Sequence, residues 1–106
     1  MPAERILELQ AMLADAPGDP LLRQAIAMEK KRNGELESAA AILEDLLRED
    51  PKHLACYYQL ALVLAGLGRT ADAAETCRAG ALQCLVTGDG KARAELLALK
   101  RALQQA

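Results

Sequence analysis

Apolar residues recur along this chain at the three- and four-residue intervals of amphipathic helices, and glycine and proline interrupt the pattern at short breaks. The breaks lie at Pro17–Pro20, Asn33-Gly34, Asp50-Pro51, Gly66–Gly68 and Gly88–Gly90. Between them the pattern predicts six helices, near residues 3–15, 20–33, 36–50, 53–67, 70–87 and 90–105. The short linkers would make consecutive helices pack antiparallel.

Local signals mark several of the predicted helix ends. Asp19 before Pro20 is a favourable N-cap followed by a first-turn proline, and Thr70 with Asp72 suits another helix start. Gly34 and Gly68 lie where a residue with left-handed backbone would end a helix.

Composition supports an all-α fold class. The chain is 52% hydrophobic but has no Phe, no Trp and only two Tyr, so its apolar content is mostly Ala and Leu, which favour helices. β-branched residues, which pack well on a sheet, are scarce.

The helix breaks repeat at a fixed interval. Pro17 and Pro51 are 34 residues apart, and so are Gly34 and Gly68. The same offset of 34 pairs Ile26 with Leu60, Ala27 with Ala61, Ala39 with Ala73, and Ala40 with Ala74. The chain therefore contains an internal repeat of helix–turn–helix units.

A 34-residue helix–turn–helix period resembles the tetratricopeptide repeat family. In residues 54–87, Tyr57 takes the bulky position of the family, Leu60 the leucine position and Ala61 the small position. Gly68 is the glycine between the helices, and Ala73 and Gly80 take two small positions of the second helix. Leu64 takes a place usually held by an aromatic. In residues 20–53 the corresponding places hold Ile26, Ala27, Gly34, Ala39 and Pro51.

The chain also departs from the family pattern. Arg23 stands where the first bulky residue belongs, and Leu43 and Cys77 replace an aromatic. Leu85 replaces the closing proline of the second repeat, so we expect that helix to continue to Thr87.

The resemblance implies a single domain over residues 1–106, built as a short right-handed α-superhelix. Its parts are a leading helix at 3–15, repeat 1 at 20–53, repeat 2 at 54–87 and a C-terminal capping helix at 90–105. Under this interpretation Gly66-Leu67-Gly68 takes the place of Asn33-Gly34 one period earlier. These glycines then end a helix and do not form a nucleotide-binding turn, which would require a preceding strand.

The resemblance further implies a non-enzymatic protein–protein interaction module that grips a peptide or helix in a concave groove lined by the first helix of each pair. The implied groove residues are Leu21, Gln24, Met28, Lys31, Ala55, Tyr58, Gln59, Leu62 and Arg93, with Ala92 and Leu96 added if the last helix stacks in register. Tyr58 and Leu62 are expected to be unneeded for repeat packing, whereas Tyr57, Leu60 and Leu64 point into the core.

One branch of the family clamps a C-terminal carboxylate with Lys and Asn side chains. Here Gln24, Met28 and Gln59 stand at those positions and Arg93 is the one suitable cation, so the clamp is not expected. Met28, Tyr58 and Leu62 indicate an apolar anchor instead.

Two alternatives stay open. The chain could be a structural protein that forms a homo-oligomer through helix 3–15 or 90–105, where Ala92, Leu96, Leu99 and Leu103 form an apolar stripe. More remotely, it could be a metal protein or an enzyme. His53 and Cys56 share a helical spacing, but zinc sites need about four ligands and the chain has one histidine. Its single serine, Ser38, has no histidine at a supporting spacing. We expect no enzyme, cofactor or metal.

Charge and cysteine content limit the partners and the compartment. A net charge of −2 does not favour nucleic-acid binding. No apolar run is long enough to span a membrane, so we expect no membrane partner. Three cysteines, an odd number, favour a reducing cytoplasm.

Overall fold

The computed structural model describes residues 2–105, and over that range the chain forms six helices and no strand. They are α1 (Pro2–Asp15), α2 (Pro20–Arg32), α3 (Leu36–Glu49), α4 (Leu54–Gly66), α5 (Thr70–Thr87) and α6 (Gly90–Gln105). The predicted all-α class is confirmed, and each helix end lies within one residue of its predicted position. Residues 1 and 106, which the predicted domain includes, lie outside the described range.

The turns after α2 and α4 have the same geometry, one repeat period apart. Gly34 and Gly68 both have φ of 79°, a left-handed conformation that favours glycine. After each glycine the next amide, of Glu35 or Arg69, donates to a carbonyl five residues back at 2.9 Å. This pattern satisfies carbonyls at the helix end. Gly66 and Gly68 therefore lie at the end of α4, as expected, and the segment before them is helical.

Two helices begin at an aspartate cap. Asp19 Oδ1 accepts hydrogen bonds from the amides of Leu21 at 2.9 Å and Leu22 at 3.3 Å, so the predicted cap of α2 is present. Asp89 Oδ1 accepts from the amide of Ala92 at 3.0 Å at the start of α6. Helix α5 begins at Thr70 without a side-chain cap.

Consecutive helices pack on one another, and small side chains occupy the crossings. Ala27, Ala39, Ala61 and Ala73 are completely buried, which lets the helix axes approach closely. Larger side chains fill the space around them, and the core continues through Leu43, Leu46, Cys56, Leu60, Val63, Leu64, Cys77 and Cys84. Leu60 and Leu64 therefore lie in the core as predicted.

Arg23 and Tyr57 stand one period apart but are used differently. Tyr57 is 7% exposed, and its hydroxyl donates to the carbonyl of Pro51 at 2.6 Å. Arg23 cannot fill an apolar core, and its guanidinium pairs with the Glu49 carboxylate at 2.6 Å. The contact joins the first turn of α2 to the last turn of α3. Its hydrogen bond lowers the pKa of Glu49 and raises that of Arg23.

At Gly80, helices α4, α5 and α6 approach so closely that no side chain fits. A Cβ atom on Gly80 would lie 2.7 Å from Cβ and Cγ of Tyr57 in α4 and 2.9 Å from Cδ1 of Leu96 in α6. Gly80 therefore fixes how near the flanking helices come to α5.

Helix α6 packs through the apolar stripe predicted from the sequence. Leu96 is 2% exposed, and Ala92, Leu99 and Leu103 contact the core while partly buried. Pairing of two chains through this stripe would therefore require α6 to leave α5.

None of the helices within residues 2–105 has the length and apolar character to cross a bilayer.

We expect Gly80→Ala to lower the free energy of unfolding by about 2 kcal/mol, because the added methyl overlaps Tyr57 near its backbone. The loss should exceed the gain of about 1 kcal/mol that alanine brings in a helix interior. Urea denaturation followed by circular dichroism measures the change.

Gly90→Ala is the matched control, since a Cβ at Gly90 meets nothing within 4 Å. It should leave stability unchanged or raise it slightly. Equal effects of the two substitutions would contradict the close approach at Gly80.

Candidate partner-binding surface

Two clefts lie between successive first helices, α2, α4 and α6, and together form what we term the first-helix surface. The α2–α4 cleft has a volume of about 390 Å³ and is lined by Met28, Lys31 and Arg32 of α2 and Gln59 of α4. It combines an apolar side chain with two cationic groups and an amide, so it is suited to an anionic or hydrogen-bonding group.

The α4–α6 cleft lies on the other side of α4 and has a volume of about 260 Å³. Its lining is apolar and aromatic with two carboxylates, and consists of Leu54, Ala55, Tyr58, Asp89, Ala92, Glu95 and Leu96. The α4–α6 cleft is smaller than typical small-molecule pockets of about 300–1,000 Å³, and the α2–α4 cleft lies near the lower end of that range. Each is of a size to receive a side chain.

The structure brings together five of the nine groove residues predicted from the sequence. Met28, Lys31 and Gln59 line the α2–α4 cleft, and Ala55 and Tyr58 line the α4–α6 cleft. Ala92 and Leu96, expected there if the last helix stacked in register, also line the second cleft.

The other four predicted residues line neither cleft. Leu21 is 73% exposed at the start of α2, and Arg93 is exposed on α6. Gln24 and Leu62 are half-buried. A role for these four in partner binding stays a prediction.

Four cleft residues were not predicted, namely Arg32, Leu54, Asp89 and Glu95. Arg32 could have been found, because it directly follows Lys31 in the one basic run of the chain. Glu95 could not be found from the repeat, because the residue 34 positions earlier is Ala61, which is completely buried. Glu95 is exposed, whereas Ala61 is buried, so the face of α6 that points outward is not the one that the repeat period assigns from α4.

Tyr58 is partly used in packing, which corrects one expectation. It is half-buried and contacts the core, although it also lines the α4–α6 cleft. Tyr57, its neighbour, lies in the core as predicted. The two adjacent tyrosines therefore lie on different surfaces of α4, and of the two only Tyr58 lines a cleft.

Two of the four charged side chains that line the clefts have a partner inside the protein. Arg32 pairs with Glu29, and one oxygen of Asp89 caps α6. Lys31 and Glu95 have no ion-pair or hydrogen-bond partner for their side chains within residues 2–105. One unpaired cation and one unpaired anion therefore border the two clefts.

A larger cleft, of about 590 Å³, lies elsewhere, between α5 and α6. Its charged groups include Glu75 and Arg78, which bind each other through two hydrogen bonds of 2.9 and 2.5 Å. This cleft is lined by α5 and α6 alone, whereas the first-helix surface extends over three helices, so we regard the first-helix surface as the stronger candidate although each of its clefts is smaller.

The three cysteines, Cys56, Cys77 and Cys84, are buried free thiols. In the described part of the chain, no three His, Cys, Asp or Glu residues are grouped closely enough to hold a metal ion. Burial raises the pKa of all three thiols, and that of Cys56 rises to about 11. Raised pKa values favour the neutral thiol, which is a poor ligand and nucleophile.

Comparison with known proteins shows which structures the chain is similar to. The family model of the tetratricopeptide repeat matches residues 31–83. A tetratricopeptide repeat domain protein from Salinibacter ruber, solved by solution NMR, is 31% identical, covers 84% of this chain and 90% of its own, and superposes with a TM-score of 0.80. A protein from Bordetella parapertussis is 26% identical over 94% of this chain and 87% of its own, with a TM-score of 0.83.

The fold is also shared more widely. The TPR2B domain of yeast Sti1, solved as a complex with pHsp70, is 20% identical, covers 94% of this chain and 80% of its own, and has a TM-score of 0.85. A comparison with curated proteins finds no match.

Because the three thiols are buried, we expect the free energy of unfolding to fall at alkaline pH. The pKa of Cys56 is raised from 9.0 to about 11, so the unfolded chain loses this proton first. The stability it contributes is fully present below pH 9 and is lost as pH rises toward 11, with a slope of up to about 1.4 kcal/mol per pH unit for one proton. Cys77, Cys84 and Tyr57 shift in the same direction.

Urea unfolding between pH 8 and pH 11 tests this in the native chain and in Cys56→Ala. The variant should be less stable at pH 8 because of its cavity, but should lose stability less steeply above pH 9. Parallel slopes would show that Cys56 does not contribute to the alkaline transition.

Proposed function

Because the chain belongs to the tetratricopeptide repeat family, we propose that it is a non-enzymatic scaffold that binds a peptide segment of another protein across the first-helix surface. The fold supports protein–protein interaction in general. The observation that carries the finer proposal is the pair of clefts on either side of α4, which are formed by successive first helices.

Repeat stacking explains why this surface is available. Each helix pair buries its apolar face against the next pair, and the first helices of successive pairs line the concave side of the superhelix. A segment lying across α2, α4 and α6 would contact residues from every pair at once. Such a continuous surface suits a chain-like ligand better than a compact one.

The side chains in the clefts are of the kinds that bind peptides well. Met28 has an unbranched, polarisable side chain that adapts to different partners. Tyr58 offers a broad ring with few rotatable bonds, so ordering it on binding costs little entropy. We propose Tyr58 as the anchor, with Leu62 beside it on the same helical face.

A structural neighbour supports a protein or peptide as the partner class. The TPR2B domain of yeast Sti1, which shares this fold, is solved in a complex with pHsp70. We propose the same class of partner here, without carrying over the identity of that ligand. We assign no cofactor, nucleic acid or membrane to the surface.

The repeat boundaries and the compartment are part of the proposal. We place repeat 1 at residues 20–53 and repeat 2 at 54–87 within one domain, with a leading and a capping helix on either side. Three buried free cysteines suit a reducing compartment, for which we propose the cytoplasm.

Tyr58→Ala should weaken binding more than it weakens the fold. We expect affinity for a peptide selected against the chain from a random display library to fall about thirtyfold, equivalent to about 2 kcal/mol for an interface anchor. Because Tyr58 is half-buried, the variant should also lose some stability. Isothermal titration calorimetry and thermal melting on the same samples measure both effects.

Tyr57→Ala is the matched control, since it removes the same side chain from the adjacent position. It should lower stability by roughly 3 kcal/mol, because Tyr57 is buried. At a temperature where the variant is folded, its affinity should be close to native. Binding lies elsewhere if Tyr57→Ala stays stable but no longer binds. The same follows if the affinity of the selected peptides is unchanged by both Tyr58→Ala and Leu62→Ala.

A further inference from the structure

The two clefts of the first-helix surface carry charges of opposite sign. Lys31 and Arg32 border the α2–α4 cleft, whereas Asp89 and Glu95 border the α4–α6 cleft. Helix α4 contributes no charged side chain to either cleft and separates them. A partner lying across α4 would thus pass from a positive to a negative region.

Two of these four charges are fully available to a ligand, whereas Arg32 already pairs with Glu29. Lys31 and Glu95 have no side-chain partner among the residues that the structure describes, while the capping bond of Asp89 occupies one of its two oxygens. An opposite charge placed beside Lys31 or Glu95 would therefore gain attraction without breaking an internal ion pair. A like charge there would be repelled.

The α4–α6 cleft has the composition of a site for a lysine or arginine side chain. Tyr58, Leu54 and Leu96 offer apolar and aromatic contact for the methylene stem of such a side chain. The Tyr58 ring can also attract the cation through its π face. The carboxylates of Asp89 and Glu95 then balance its charge.

The α2–α4 cleft has the complementary composition for a carboxylate. The Lys31 ammonium is a cationic donor left unpaired within residues 2–105, the Arg32 guanidinium is a second cation that also donates to Glu29, and the Gln59 amide adds a neutral donor. Hydrogen bonds from ionised donors to a carboxylate are stronger than neutral ones. The volume of about 390 Å³ leaves room for an Asp or Glu side chain beside Met28.

The width of α4 fixes how far apart the two ligand charges must be. An α-helix with its side chains is about 10–12 Å in diameter. An extended chain advances about 3.3–3.6 Å per residue, so it crosses that distance in three or four residues. Two separate cavities, each the size of one side chain, suit an extended segment better than a helix, which requires a continuous trough.

We propose that the partner is an extended peptide segment that carries an acidic and a basic residue three or four positions apart. The acidic side chain enters the α2–α4 cleft and the basic side chain enters the α4–α6 cleft, with an intervening residue on Tyr58. This inference rests on the proposed function and specifies the chemistry of its partner.

The test uses phage-displayed random octapeptides, selected separately on the native chain and on the double variant Lys31→Glu/Glu95→Lys. The native chain should enrich peptides with an acidic and a basic residue three or four positions apart, in one constant order. The double variant should no longer enrich this order, because Arg32 and Asp89 are retained and each cleft then holds charges of both signs. Thermal melting checks that both proteins are folded.

A selected peptide then tests each charge separately by titration calorimetry. Glu95→Gln should weaken binding about fivefold, and this loss should vanish when the basic residue of the peptide is replaced by methionine. Lys31→Gln should couple to the acidic residue in the same way. Glu44→Gln and Lys52→Gln are the matched controls, because neither residue lines a cleft of the first-helix surface, and they should leave affinity unchanged.

The outcomes separate this inference from the proposed function. The inference alone is overturned if the selected peptides bind the native chain and lose affinity for Tyr58→Ala, but lack the charge pair. It is also overturned alone if such peptides keep the same order of charges on the double variant. A charge spacing of seven residues indicates a helical partner and also overturns it. Failure to select any peptide, or selection of peptides indifferent to Tyr58→Ala, contradicts the proposed function and the inference together.

Discussion

The close approach of α4, α5 and α6 at Gly80 is the contact on which the C-terminal half of the structure depends. Tyr57 and Leu96 both lie against Gly80, and together they leave no room for a methyl group. Leu96 also lines the α4–α6 cleft, so the same contact sets the spacing of its walls. With Tyr57 held in the core, the next residue of the helix, Tyr58, faces the cleft. Fold and candidate site therefore share one constraint.

Most of the fold could be predicted because it is specified locally. Glycines at a fixed interval end α2 and α4 in left-handed turns, and helical periodicity between the breaks indicates every helix. Arg23 was harder to interpret. The repeat assigns it a core position, but a guanidinium there needs a carboxylate, and the partner, Glu49, lies in another helix. Sequence spacing alone does not show such a pairing.

The candidate site could be predicted only in part, for a geometric reason. Positions on α2 and α4 follow the 34-residue period, and five of the predicted residues line the clefts. Helix α6 departs from that period, because its apolar stripe packs on α5 and turns Glu95 outward. The negative end of the surface therefore depends on the rotation of one helix about its axis. That rotation follows from packing and not from the repeat.

Helix α1 packs mainly on α2, and of its side chains Ile6 and Leu9 are buried. In a linear stack, an element held by one neighbour opens at a lower free energy than elements held on both sides. The backbone amides of α1 are therefore expected to exchange with solvent by local fraying, while those of α4 exchange only when the stack itself opens. Neither cleft includes a residue of α1, so this motion leaves the first-helix surface assembled. Local opening of α1 can therefore coexist with an intact first-helix surface, with α2 in contact with both.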